Sequence, residues 1–179
     1  VYFLACGGSL VDLYPGYYFL RAESAVMDAQ WIPAREFALT PPKKLGKDSL
    51  LIICSHSGKT RECLEAARTG LDAGAAVVTL THAPGSACDT TEWISIVYDW
   101  APGVKEAEKP QGIVLNLLNE LMKVQEPGYE LYDKITEGFH KIDAIIAEAV
   151  KDQQNAAWLF AEKYSEEPNL YIMASGASY

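Results

Sequence analysis

SLLIICSHSGKTRECLEAARTGLDAG, residues 49–74, is the stretch on which the fold of the whole chain turns. Ser49–Cys54 is apolar without alternation after its first residue, which predicts a strand buried on both faces, as in a parallel sheet. Ser55–Thr60 (SHSGKT) ends the strand. Arg61–Ala73 then carries Leu64, Ala67 and Leu71 on one face at helical spacing, with Gly74 as its stop. A buried strand that passes through a short hydroxyl-rich loop directly into a helix is half of a βαβ unit.

The same alternation extends in both directions. Upstream, Val1–Ala5 (VYFLA) reads as a buried strand broken by Cys6-Gly7-Gly8-Ser9. A helix should follow over Leu10–Ala25, kinked at Pro15-Gly16. A second strand is expected within Ala25–Ile32, and a turn of helix at Arg35–Ala38 before Pro41-Pro42. Downstream, Ala76–Thr81 (AVVTLT) and Trp93–Tyr98 (WISIVY) read as strands, separated by a loop at Ala83–Thr90 with room for one helical turn. The expected architecture is α/β, a doubly wound parallel sheet of five strands.

From Glu106 the pattern becomes helical. Gln111–Val124 is apolar at helical spacing through Ile113, Leu117, Leu118 and Leu121, and Glu126-Pro127-Gly128 interrupts it. Tyr129–Tyr164 reads as one or two long helices. The apolar faces around Ile113–Leu121 and Ile142–Val150 suit either a core or a dimer interface. Asn169–Ala174 (NLYIMA) is expected to be a strand running into Ser175-Gly176-Ala177-Ser178, which repeats the strand-and-loop pattern of the opening. Residues 1–165 are thus expected to form a first domain with trailing helices, and 166–179 the first strand and loop of a second copy, cut short at Tyr179. Val1 is not Met and already looks like strand, in keeping with a piece of a longer protein.

A net charge of −9 argues against nucleic acid as a partner. It leaves room for a small phosphate, which needs only local N–H and hydroxyl donors. No apolar run approaches the roughly 18 residues of a membrane span. Cys6, Cys54, Cys63 and Cys88 show neither a C-x-x-C pair nor a histidine at ligand spacing. Neither a metal site nor a disulfide framework is expected, and reduced cytoplasmic thiols are the plain reading.

Ligands of open parallel sheets bind outside the carboxyl ends of the strands. Two strand ends carry small polar loops, Cys6–Ser9 and Ser55–Thr60. Behind the second, the first turn of a helix offers unpaired N–H groups and the positive end of its dipole. Ser55, Ser57 and Thr60 add hydroxyl donors, and Gly58 allows close backbone approach. Three sharper motifs each miss by one residue. A P-loop ending in Gly58-Lys59-Thr60 needs glycine where Ile53 stands. A cysteine-phosphatase loop needs its arginine one position nearer to Cys54 than Arg61 lies. A nucleophile elbow at Ser57 needs glycine where Ser55 stands. The plainer alternative is a helix cap, with Ser57 or Thr60 satisfying an orphan amide. His56 fits loop packing or a substrate contact better than a base, Lys59 a solvated side chain, and Cys6 and Cys54 small core residues.

Taken together, strand–CGGS–helix, strand–SHSGKT–helix and the later KEAEKPQGIVLNLLNELM helix resemble the SIS (sugar isomerase) family, whose loops read S-x-S-G-x-T. The opening YFLACGGSLVDLYPGYYFL is similar to that of the fructosamine 6-phosphate deglycases, relatives of the isomerase part of glucosamine-6-phosphate synthase. The resemblance implies a flavodoxin-like module without a cofactor that binds a phosphosugar. It would act as a homodimer or higher homo-oligomer. Ser55, Ser57 and Thr60 would hold the phosphate with backbone help from His56 and Gly58, and Gly8 and Ser9 would contact the ligand from the neighbouring strand end. The implied reaction is deglycation of an amino-acid-conjugated hexose 6-phosphate through an enolamine. The alternatives are aldose–ketose isomerisation or a phosphosugar-sensing regulatory role. No motif for the family's catalytic base is present, so the resemblance places that base beyond Tyr179 or in a partner subunit. Within the chain, Glu108 is the one carboxylate to watch.

Overall fold

The computed structural model describes residues 1–174. Strands β1 (Tyr2–Ala5), β2 (Gln30–Pro33), β3 (Leu50–Cys54), β4 (Ala76–Thr81) and β5 (Ile94–Val97) form one parallel sheet in the order β2-β1-β3-β4-β5. The expected five-stranded, doubly wound, flavodoxin-like sheet is what forms. The central strands β1 and β3 are the continuously apolar ones, because helices cover both of their faces. Helices α1 (Gly8–Asp12), α2 (Tyr14–Glu23) and α5 (Pro110–Gln125) pack on the face that holds Phe3, Ala5, Ile52 and Cys54. Helices α3 (Ala34–Leu39) and α4 (Arg61–Asp72) cover Tyr2, Leu4, Leu51 and Ile53 on the other.

The helix expected over Leu10–Ala25 is two helices, divided at Leu13 just ahead of Pro15. Proline has no N–H to continue a helix but fits its first turn, so it starts a new one. Gly16 lets α2 lie close on α5: a Cβ there would sit 2.5 Å from Val114 Cγ1. On α4 the fully buried face is Cys63, Ala66, Ala67 and Gly70, with Leu64 and Leu71 half-buried at its margin. Small residues face the sheet because α4 lies close against Leu51, as Gly70 shows. Ala83–Thr90 contains turns and no helical turn.

On α5, Val114, Leu118 and Met122 are fully buried and Ile113, Leu117 and Leu121 pack against them, so this face belongs to the core. A 3₁₀ turn, Glu106–Glu108, precedes α5, and α6 (Tyr132–Tyr164) follows it as one helix of 33 residues. The turn between α5 and α6 is held by Asn119, 2 % exposed. Its Nδ2 donates to the Tyr132 carbonyl (3.2 Å) and its Oδ1 accepts from the Tyr129 hydroxyl (2.9 Å). Such partners are what make a buried amide tolerable. Ile145, Ile146 and Val150 of α6 are exposed.

Asn169–Ala174, expected as a strand, is exposed and has no strand pairing among the described residues. An apolar, extended segment becomes a strand only where a neighbour takes its backbone groups. The loop expected at Ser175–Ser178 lies outside the described residues, and so does Tyr179, the last residue assigned to the second copy.

Candidate functional site

Ala5 pairs with Cys54 across β1 and β3, so the two polar loops leave the sheet side by side. From this point α1 departs to one face and α4 to the other. That divergence is the crevice in which open α/β sheets take ligands.

Ser55 is 2 % exposed and its N–H donates to the Leu80 carbonyl at 2.9 Å, which extends the β3–β4 pairing by one residue. Its Oγ donates to Thr60 Oγ1 at 2.9 Å. Thr60 stands at the N-cap of α4 yet makes no side-chain cap hydrogen bond. The helix-cap reading is therefore not realised: Ser55 holds the hydroxyl that would have capped the helix. The first-turn amides of α4 are left without that partner, and the helix dipole points its positive end into the loop. Ser57 is exposed at the rim, its Oγ accepting from the Lys59 N–H at 3.3 Å.

Gly58 makes the tight turn with φ of 63°. A Cβ here would lie 1.9 Å from Ser86 Oγ and 2.7 Å from Thr81 Oγ1, so only glycine fits. Its carbonyl accepts from the Cys88 N–H (3.1 Å), and its own N–H donates to the Ser55 carbonyl (2.9 Å). This corrects the expectation that Gly58 lends backbone donors to an anion: its amide is used inside the loop.

Gly8 is the exposed first residue of α1, and Ser9 follows half-buried, close to the Cys54 thiol. Burial pushes the Cys54 thiol up to about 12. A thiol so far from its thiolate is no nucleophile, which fits the small core residue the sequence suggested.

His56 is exposed and sits in a cluster that no sequence motif announced. Its ring stacks on His82 with centroids 4.9 Å apart and planes 16° from parallel, and Trp100 stands edge-on to it at 5.7 Å. His56 Nδ1 lies 2.9 Å from the Tyr98 hydroxyl, and His82 Nδ1 lies 3.1 Å from the Tyr98 carbonyl. Asp12 of α1 is near enough to feel His56. Burial raises its carboxyl pKa, with the imidazole partly opposing, and it accepts from Gln111 Nε2 at 2.7 Å. The available signal was positional: His82 and Tyr98 are the first residues past β4 and β5, at the same edge of the sheet as Ser55.

A catalytic base expected beyond Tyr179 falls outside the described residues, which leaves Glu108 as the sequence candidate that the structure can place. Glu108 is exposed and lines a cavity of about 340 Å³ between the 3₁₀ turn, α5 and α6, beside His140 and Asp143. A larger cavity, about 520 Å³, lies at the opposite, amino ends of β1–β3, bounded by Val1, Met27, Gln30 and Leu50. Neither cavity includes a residue of the two polar loops. Among the described residues no group of His, Cys, Asp or Glu is arranged to hold a metal ion.

The sheet order is that of known proteins of the SIS fold. Fructosamine deglycase FrlB of Bacillus subtilis is 32 % identical over all 179 residues, which correspond to 54 % of its length. A proposed phosphosugar isomerase from Salmonella typhimurium LT2 superposes with a TM-score of 0.89 at 34 % identity, over 98 % of this chain and 53 % of that one. Another, from Bacillus subtilis, gives 0.88 at 31 %, with the same coverage of both chains. The C-terminal domain of glucosamine-fructose-6-phosphate aminotransferase from Francisella tularensis, at 19 % identity and a TM-score of 0.74 over 98 % of this chain and 51 % of that one, shares the fold. No protein-family model matches the chain. The chain is thus homologous to phosphosugar isomerases and to the fructosamine deglycase, shares their fold, and spans about half the length of the curated relative it matches.

Proposed function

We propose that this chain is the phosphate-gripping SIS module of a sugar-phosphate deglycase, which releases the amine from an amino-acid-conjugated hexose 6-phosphate. The observation that carries the reading is the Ser55–Thr60 hydrogen bond, which withholds the side-chain cap from α4 and leaves the Arg61 and Glu62 amides to an anion, the Cys63 amide being bonded to the Thr60 carbonyl. With Thr60 Oγ1 accepting from Ser55, the hydrogen of Thr60's own hydroxyl is free to point at a phosphate oxygen. Ser57 supplies a second hydroxyl at the rim, and His56 a ring nitrogen. Gly8 and Ser9 approach the sugar from the β1 side.

The site needs neither cofactor nor metal to do this, and its share in catalysis is orientation. A tethered phosphate fixes the sugar chain so that the carbon beside its carbonyl or imine meets a base. Proton removal there gives an enolamine, and hydrolysis of the imine that follows frees the amine. The base would come from a second SIS copy, beginning near residue 166 and continuing past Tyr179, or from the other subunit of a homodimer, with Glu108 a poor candidate. Among the described residues no helix is long and apolar enough to cross a membrane, and four free cysteines suit a cytoplasmic protein.

Replacing Ser57 and Thr60 together by Ala tests the site. Each lost hydrogen bond to a charged group should cost roughly 1.5–3 kcal/mol of binding. Unchanged affinity for hexose 6-phosphates in a folded double variant would overturn the assignment. Plain aldose–ketose isomerisation is the second reading, favoured by the names of the relatives at 34 % and 31 % identity. Product analysis with free against amino-acid-conjugated hexose phosphate separates the two.

A further inference from the structure

The cluster around His56 contains one side chain whose hydrogen-bonding has a single sensible arrangement. Tyr98 is 4 % exposed, and burial pushes its phenol far above the ordinary value, so the hydroxyl keeps its hydrogen. The hydroxyl lies 2.9 Å from His56 Nδ1, with the Cys54 thiol as a nearby second neighbour. An imidazole nitrogen is much the better acceptor, whereas a thiol can itself donate to the phenol oxygen. The phenol therefore donates to Nδ1, and the hydrogen of the neutral His56 ring sits on Nε2. His82 is fixed in the opposite sense. Its Nδ1 faces the Tyr98 carbonyl, which only accepts, so that nitrogen carries the hydrogen. Its ring lies nearly flat against His56 and holds the plane of that ring.

We propose that Tyr98 is a positioning residue, whose buried hydroxyl fixes His56 as its Nε2–H tautomer and so presents a donor, beside Ser57 and Thr60, to a phosphate oxygen of the ligand. This rests on the phosphate reading of the Ser55–Thr60 loop. Without Tyr98 a share of the rings would carry the hydrogen on Nδ1 and meet the anion with a bare lone pair, which would repel it. The groups facing His56 are Asp12 from α1, His82 from the end of β4, and Tyr98 with Trp100 from the end of β5. Of these, Tyr98 alone contacts His56 through a hydrogen bond to Nδ1.

The test is ¹⁵N NMR of the imidazoles in the ligand-free protein, with His56→Gln used to assign the His56 signals. Wild type should show His56 as Nε2–H. Tyr98→Phe keeps the ring and loses the hydroxyl, so the tautomers should mix and the Kd for fructose 6-phosphate should rise roughly 3- to 10-fold. His56 found as Nδ1–H in wild type overturns the proposal, as does a Tyr98→Phe protein with unchanged tautomer and affinity. Should Tyr98→Phe fail to fold, the wild-type His56 Nδ1 signal decides: a shift from hydrogen bonding at that bare nitrogen supports the proposal, and its absence overturns it. The Ser57→Ala, Thr60→Ala double variant separates the two readings. It should lose binding yet keep the His56 tautomer, whereas wild-type affinity in that variant sinks the phosphate assignment and leaves the tautomer result standing.

Discussion

Ser55 Oγ and Thr60 Oγ1 stand 2.9 Å apart and close the loop between β3 and α4 into a ring. The bond diverts a threonine from capping the helix behind it. Ser55→Ala should release Thr60 to turn back onto the first-turn amides of α4. Affinity for hexose 6-phosphate should then fall by roughly 5- to 10-fold while stability changes by about 1 kcal/mol or less, because a cap replaces the lost bond. Thr60→Ser keeps the hydroxyl and should bind nearly as wild type. Calorimetric titration together with urea unfolding of both variants checks this, and equal affinities in the two would contradict it.

Gly58 cannot become alanine without displacing its neighbours. The new methyl would overlap Ser86, whose buried Oγ has no hydrogen-bond partner among the described residues, at a backbone angle alanine rarely adopts. Gly58→Ala should lose about 1–3 kcal/mol and spoil phosphate binding with it. Adding Ser86→Gly should recover part of the stability, since the Thr81 hydroxyl still crowds the site at 2.7 Å. Denaturation midpoints of the single and double variants decide it.

At Gly16 two effects oppose each other. Alanine would gain up to about 1 kcal/mol of helix propensity within α2. It would also press its methyl to 2.5 Å from Val114 Cγ1, a short branched side chain with no room to swing away. Overpacking of this kind costs roughly 1–3 kcal/mol, so Gly16→Ala should destabilise. Val114→Ala should be less harmful in the Gly16→Ala background than in wild type, and a double-mutant cycle measures that coupling.

Alkali should weaken the fold through the buried acids of the sheet's carboxyl edge. Burial raises Cys54 from an ordinary 9.0 to about 12 and also pushes up Cys63 and Tyr98. Above pH 9 the unfolded chain loses protons that the folded one retains, so unfolding gains free energy as pH rises. Stability from Cys54 is therefore complete below about pH 9 and is lost progressively between about 9 and 12. Urea midpoints measured from pH 7 to 11 should fall across the upper part of that range. Cys54→Ala should flatten the fall, and an equally steep profile in that variant would rule out this cause.

Much of the fold was legible because it is local. Six residues, Ser49–Cys54, show that β3 is covered on both sides, and SHSGKT marks where a parallel strand hands over to a helix. The boundaries that were missed depend on neighbours. Leu10–Ala25 divides because Pro15 opens a new helix, and Asn169–Ala174 forms no strand because none of the described strands pairs with it.

Ser55, Ser57, Gly58 and Thr60 could be picked out from residue type and spacing, since turn geometry and hydroxyl chemistry are encoded within a few positions. The direction of each hydrogen bond was not. That Gly58 turns its amide inward, and that Ser55 takes Thr60 away from the helix, follows from β3 and β4 being locked together through Leu80. Asp12, His82, Tyr98 and Trp100 meet His56 from three other segments of the chain, brought to one edge by strand pairing and helix packing across long stretches of sequence. Local sequence fixes the period and the turns, whereas only the packed sheet decides which distant side chains share a surface.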